Sequence, residues 1–341
     1  MKGVNMAKVK YLVAFVLMLV VGANMLFASD TQIQMTVWNR YTYVKSGDEV
    51  TEDQFSLARG YLRLNHNFSS AIFGRFNVDF FSDEDGLDGA GLKIKYAYLD
   101  FKKLIPIPDA VFTAGLMKTY FGTIYDWSYV TVEKDPSDLY KVCSSTDYGL
   151  GISGLIPGGL GEYALALYNG EGYKKTGSDV NKYPAFTGNV RVTPLPGITV
   201  GGSAIIANKV GTSEPYDKMT AYAGVGRFVF GPIDIWAEYL MKNYTDESKT
   251  SCETKSAGFM VMPILKLFPN FELVFRYDQW DPNTDQDNDK KNMWIAGLNY
   301  HCASNVILQL NYENISYESS KSEDTKKIYA QLNWTFKTPK F

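Results

Sequence analysis

Seven arginines are the residues of this chain best suited to bind solute, because each falls inside a segment of alternating polarity. They are Arg40, Arg59, Arg63, Arg75, Arg191, Arg227 and Arg276, whereas lysines dominate the breaks between such segments. A guanidinium is always charged and presents a planar fork of donors that matches carboxylate and phosphate oxygens. Four of the seven lie between Arg40 and Arg75, close to Asp79, and two readings are open. They form a wall of fixed positive charge that attracts anions, or they pair with acids such as Asp79 and add rigidity. A second set of polar groups sits in one long break, Lys118–Thr146. It carries the aromatics Tyr120, Phe121, Tyr125, Trp127 and Tyr129, with Asp126, Glu133, Asp135 and Asp138.

Other candidates are weaker. Hydrolysis needs a base beside a nucleophile or an activated water. The two histidines, His66 and His301, fall in short breaks and read as solvated turn residues, which leaves a hydrolase as the minor reading. Asp281–Asp289 spaces oxygen ligands at alternate positions, like part of a calcium loop. Gln286 stands where that loop needs Gly, however, and Asn292 where it needs Glu. A solvated acidic loop is therefore expected, with weak divalent binding near lipopolysaccharide as the alternative; no metal or cofactor is expected. Three cysteines exclude an even disulfide framework. Cys143 and Cys252 fall at the same end of the pattern and are a candidate disulfide in an oxidising compartment, free thiols being the other reading. Cys302 falls at the opposite end.

The elements that must position these groups follow from polarity. Residues 1–28 read as a removable export signal: Lys2, Lys8 and Lys10, an apolar run Tyr11–Val21, then Leu26-Phe27-Ala28. Its removal takes the formal charge from −3 to about −6, a poor balance for nucleic-acid binding. Aromatics make up 15% of the chain, with 24 Tyr, and this composition favours strands over helices. From Ser29 on, segments of about ten residues alternate with period 2, the length of a tilted strand crossing a bilayer. In Asn270–Asp278, Phe271, Leu273, Phe275 and Tyr277 oppose Glu272, Arg276 and Asp278. In the last segment, Ile328, Ala330, Leu332, Trp334 and Phe336 oppose Lys327, Gln331, Asn333 and Thr335.

A soluble sandwich shows the same period, so the breaks decide. Long, charged breaks (Lys45–Gln54, Ser82–Ala90, Lys118–Thr146, Asn169–Lys182, Asn208–Lys218, Lys242–Glu253, Asp281–Lys290, Ser316–Thr325) take turns with shorter ones. The shorter set is His66–Ser70, Lys102–Pro108, Leu155–Gly161, Thr193–Gly197, Phe230–Pro232, Pro263–Asn270 and His301–Asn305. This sorting predicts, over residues 29–341, an all-β transmembrane antiparallel barrel of about sixteen strands in a bacterial outer membrane. Its short turns face the periplasm and its long loops the outside. Leu92–Phe101 loses phase, Met219–Val229 is apolar on both faces and Asp147–Gly154 is short, so fourteen or eighteen strands stay open. Tyr41, Tyr43, Phe80, Phe81, Trp280, Trp334 and Phe336 fall near strand ends, as in interfacial girdles. Phe341 ends the chain out of phase with Phe336, beyond Pro339, so the strand bends or its end trails free.

A barrel this wide keeps an aqueous lumen, and the third long break is the candidate to fold inward and narrow it. Charges facing lipid are costly, so the arginines are expected in the lumen. The expected function is passive diffusion of small hydrophilic solutes and ions, with anion preference an open question. An adhesin is the alternative, with loops that bind a host surface and a closed lumen. Gln54–Phe80 (QFSLARGYLRLNHNFSSAIFGRFNVDF), Ser145–Gly154 (STDYGLGISG) and Glu162–Tyr173 (EYALALYNGEGY) resemble the phosphate-selective porin O and P family. That resemblance implies a homotrimeric, sixteen-stranded porin with an inward third loop and lumen cations that conduct anions. The chain departs from the family in lacking a dense arginine ladder beyond the seven named.

Overall fold

The computed structural model describes residues 30–82, 90–175, 180–211, 213–249 and 252–341. The export signal expected over residues 1–28 lies outside them, as does most of the break Ser82–Ala90. The described residues form sixteen strands: β1 Asp30–Ser46, β2 Glu49–Asn67, β3 Ile72–Ser82, β4 Ala90–Lys102, β5 Val111–Lys118, β6 Thr146–Ile156, β7 Gly161–Tyr168 and β8 Ala185–Leu195. The rest are β9 Ile198–Val210, β10 Asp217–Phe230, β11 Ile233–Asp246, β12 Cys252–Phe268, β13 Phe271–Asp281, β14 Lys291–Ala303, β15 Val306–Tyr317 and β16 Thr325–Lys337. Each pairs antiparallel with its sequence neighbours, and β1 closes on β16, so the sheet has no free edge. Among the described residues no helix is long and apolar enough to cross a membrane; the strands do so.

The two faces obey different solvents. Leu273 and Phe275 are 41% and 47% exposed on the outer face of β13, while Arg276 and Asp278 on its inner face are fully buried. Outward apolar groups of this kind meet lipid, and inward charges meet the lumen and what fills it. Apart from the β1–β2 turn, short turns and long loops sort to opposite ends, and Asp30 and Phe341 both lie at the short-turn end.

Several expectations need correction. The break Lys45–Gln54 is a tight turn at Gly47 and Asp48, with Gly47 at φ +53°, and β1 and β2 run straight to it. Gly47 N–H donates to the Asp324 carbonyl at 3.0 Å, which pins the hairpin to the neighbouring loop. Pro263 lies inside β12 rather than in a turn. Having no N–H, it interrupts the β12–β13 ladder, which jumps from Val261↔Tyr277 to Ile264↔Val274.

The lost phase of β4 also has a cause. Asn77 faces Tyr96 and Val78 faces Ile94, so Lys95 is an extra, bulged residue. Lys93 and Lys95 above the bulge and Tyr96, Tyr98 and Asp100 below it therefore share the lumen face. Trp280 does not join an outer girdle; it points inward and stacks on Tyr140, with centroids 4.6 Å apart and planes 6° from parallel.

At the C-terminus, Thr338 N–H donates to Ile33 O at 2.9 Å, and Thr31 and Phe341 exchange backbone bonds of 2.9 and 3.1 Å. Residues 338–341 thus span one residue more than the β1 segment 33–31. A bulge at Pro339 and Lys340 absorbs the surplus, and Phe341 returns to the outward face it shares with Thr31, Ile33 and Met35.

Candidate channel constriction

All seven arginines face the lumen, but their partners divide them. Arg191 Nη1 donates to Asp126 Oδ2 at 2.8 Å. Arg227 makes a forked pair with Asp234 (2.9 and 2.7 Å), and Arg276 another with Asp278 (2.7 and 2.6 Å). The four on β1–β3 have neutral partners instead. Arg40 Nε donates to Gln331 Oε1 (2.9 Å), Arg59 Nη1 to the Tyr129 hydroxyl (2.8 Å), Arg63 Nε to Asn77 Oδ1 (3.4 Å) and Arg75 Nε to Asn65 Oδ1 (3.0 Å). Among the described residues none of these four has a carboxylate within the 4.0 Å of an ion pair. Asp79 faces the same lumen, buried between Arg59 and Arg63 in the register, without closing on either.

Register arranges the four as a descending series. Arg40 lies opposite Ser56 and Arg59 opposite Trp38; Arg63 follows four residues down β2, and Arg75 is opposite Asn65. From the level of Ser56 to that of Asn65 the strand covers about 30 Å. Rings hold the cations in place of acids. Arg59 lies 5.2, 5.5 and 5.3 Å from the centroids of Trp38, Tyr61 and Tyr129, and Arg75 lies 5.8 Å from those of Tyr96 and Tyr98.

The opposite side is the third loop, residues 119–145. β5 has only eight residues, so the chain leaves the wall at Lys118 part-way up and turns inward. Polar groups of distant strands then hold it. Glu238 on β11 accepts from Thr123 Oγ1 at 2.5 Å and from Ser137 Oγ at 3.4 Å. Gly122 N–H donates to Ser203 Oγ at 3.1 Å, Val132 N–H to Asn311 Oδ1 at 3.0 Å, and Arg276 Nη1 to the Lys134 carbonyl at 2.6 Å. Apolar groups follow the same route. Phe121 and Ile124 pack with Ile205, Ala221, Ala223 and Leu240, and Trp127 and Val130 pack against Trp236 and Met260. This explains why β10 reads as apolar on both faces: one meets lipid and the other meets the loop.

The named loop residues therefore have unequal tasks. Tyr120 and Phe121 are buried anchors; Trp127 Nε1 donates to the Glu133 carbonyl at 3.3 Å, and its ring lies 5.2 Å under Arg276. Asp126 is consumed by Arg191. Asp135 caps the short helix Pro136–Leu139 by accepting from Asp138 N–H at 3.1 Å. Burial pushes its carboxyl well above the usual range, with Glu238 and Asp138 adding to the effect. Glu133 and Asp138 line a cavity of about 660 Å³ on the long-loop side, facing Arg40 and Arg59.

Cys143 and Cys252 are free thiols, as is Cys302. Cys143 packs inside the loop cluster and Cys252 is exposed at the start of β12, and burial pushes the Cys143 thiol well up. His66 Nδ1 bonds Thr31 Oγ1 at 2.7 Å, and His301 Nε2 lies 3.4 Å from Glu272 Oε2. In the acidic loop, Asp281 and Asn283 accept from the backbone N–H groups of Asn283 and Asp285, so both act as turn formers.

A closed sixteen-strand barrel with an inward third loop and a charged lumen defines the class: this is an outer-membrane barrel of the porin type. Residues 206–336 match the family described as phosphate-selective porin O and P. The fold is similar to that of the outer membrane channel DcaP of Acinetobacter baumannii, at 14% identity and a TM-score of 0.66, covering 90% of this chain and 97% of that one. An anion-selective porin from Comamonas acidovorans gives 11% identity and a TM-score of 0.66, covering 90% and 100%. The trimer form of OmpT of Vibrio cholerae gives 12% and 0.62, covering 90% and 99%. No curated protein matches the chain in sequence.

Sequence reasoning missed Trp38, Lys95, Lys118 and Glu238. Glu238 carried a signal, since it alternates inward with Trp236 and Leu240, and an acid among apolar lumen groups requires a cover.

Proposed function

We propose that this outer-membrane channel carries small hydrophilic solutes by passive diffusion, without an enzymatic step, and that it prefers anions. The observation that carries the preference is the split among the arginines: three are neutralised by Asp126, Asp234 and Asp278, and four have no carboxylate partner among the described residues. Fixed charge left uncompensated beside a narrow passage concentrates counter-ions and rejects co-ions. The anion-selective porin among the structural neighbours is consistent with this reading, and the trimeric neighbour supports a homotrimer here. Planar-bilayer recording in a salt gradient tests it. Open, ohmic steps with an anion-side reversal potential are expected; a cation-side potential would overturn the preference, and a folded protein without conductance would overturn the channel.

A further inference from the structure

Below the loop lies a cavity of about 350 Å³ on the short-turn side, between β3–β5 and the loop. Two cations face it from opposite supports, each held by a pair of tyrosines. Arg75, on the wall, lies 5.8 Å from the rings of Tyr96 and Tyr98, which meet edge to face with centroids 6.0 Å apart. Lys118, at the root of the loop, lies 5.2 and 4.8 Å from Tyr120 and Tyr125, an edge-to-face pair also 6.0 Å apart. Among the described residues, neither cation has a carboxylate within 4.0 Å. Asp100 lines the same space and accepts from Thr113 Oγ1 at 2.6 Å.

We propose that this cavity is a subsite for singly charged organic acids with a flat ring body. The inference rests on the anion-preferring reading above and narrows its solute class. Arg75 uses Nε on Asn65, and its two terminal amines have no hydrogen-bond partner among the described residues, so they can grip a carboxylate side by side while Lys118 adds a point charge. Two cations and one acid leave the lining at a net single positive charge, which suits a monoanion better than a multiply charged oxyanion. The ring faces that shield the cations offer a flat body stacking surface that a bare ion cannot use.

The probes are benzoate, acetate and phosphate, used with the full-length protein folded in detergent and in bilayers. Calorimetry in detergent is expected to show saturable benzoate binding, with acetate and phosphate each about tenfold weaker. Arg75→Gln and Lys118→Gln, each checked for heat-modifiable migration, are each expected to weaken benzoate about tenfold. In bilayers benzoate is expected to reduce the chloride current with saturation. Equal binding of the three anions, or benzoate binding unaltered in both variants, overturns the subsite. The reversal potential reports separately on the parent reading, because calorimetry detects the site whether or not the channel prefers anions.

Discussion

The Arg59 guanidinium donates to the Tyr129 hydroxyl at 2.8 Å, a bond between the basic wall and the tip of the third loop. It joins β2 to a loop that β9, β11, β13, β14 and β15 hold from the other side. The passage is thus bounded by a cation whose nearest partner is a neutral phenol. Charge there is positioned without being cancelled.

Replacing Arg59 and Arg63 together by Gln removes half of the uncompensated series while keeping polar bulk. Each charge in a partly wet lumen is worth on the order of a kcal/mol. The anion-to-cation permeability ratio is expected to fall about threefold or more, read as a shift of reversal potential toward the cation side. The shift should shrink in molar salt, where screening shortens to about 3 Å. An unchanged potential would show that the wall does not set selectivity.

Arg276→Met addresses the opposite class of arginine. Arg276 and Asp278 are both fully buried, and Arg276 also holds the Lys134 carbonyl. Removing one partner of such a pair strands the other, at a cost of about 3–5 kcal/mol. The variant is expected to lose thermal stability and to conduct with noisier, larger steps as the loop loosens, while its selectivity stays on the anion side. A quiet channel of normal stability would contradict the staple.

These two roles mark how much could be read from the sequence. Strand number, turn sorting and the inward arginines were legible because lipid and water impose a period-2 pattern within each ten-residue stretch. The division of the arginines was not: Arg191 finds Asp126, 65 residues away, only after the loop has crossed the lumen. Trp280 read as a girdle residue because its position near a strand end is local information, whereas the stacked Tyr140 is not. Lys95 hid in a bulge, since one extra residue exchanges the faces of everything after it.

Gly122→Ala tests the loop's tightest approach. Gly122 has φ +48°, and a Cβ there would overlap Glu238 Oε1, the oxygen held by Thr123 and Ser137. A left-handed conformation imposed on alanine costs about 1 kcal/mol, and displacing a buried carboxylate from its donors adds a similar amount. A loss of about 2 kcal/mol in stability is expected, with frequent brief current steps from loop motion. Wild-type stability and a steady current would mean that Glu238 has room to yield.

The C-terminal bulge makes a claim about phase. Deleting Pro339 and Lys340 together sets the terminal Phe directly after Thr338, opposite Gln32, so it either turns toward the lumen or gives up its backbone pairing with β1. Either way the outward apolar side chain is lost from the lipid face, worth about 2 kcal/mol for a phenylalanine. The deletion is expected to slow barrel formation in vesicles and to lower the temperature at which the heat-modifiable form is lost. Phe341→Leu keeps an apolar group in phase and is expected to lie close to wild type. Should the deletion fold as fast as wild type while Phe341→Leu does not, the identity of the last side chain would matter rather than its face. The bulge would then have no part in placing it.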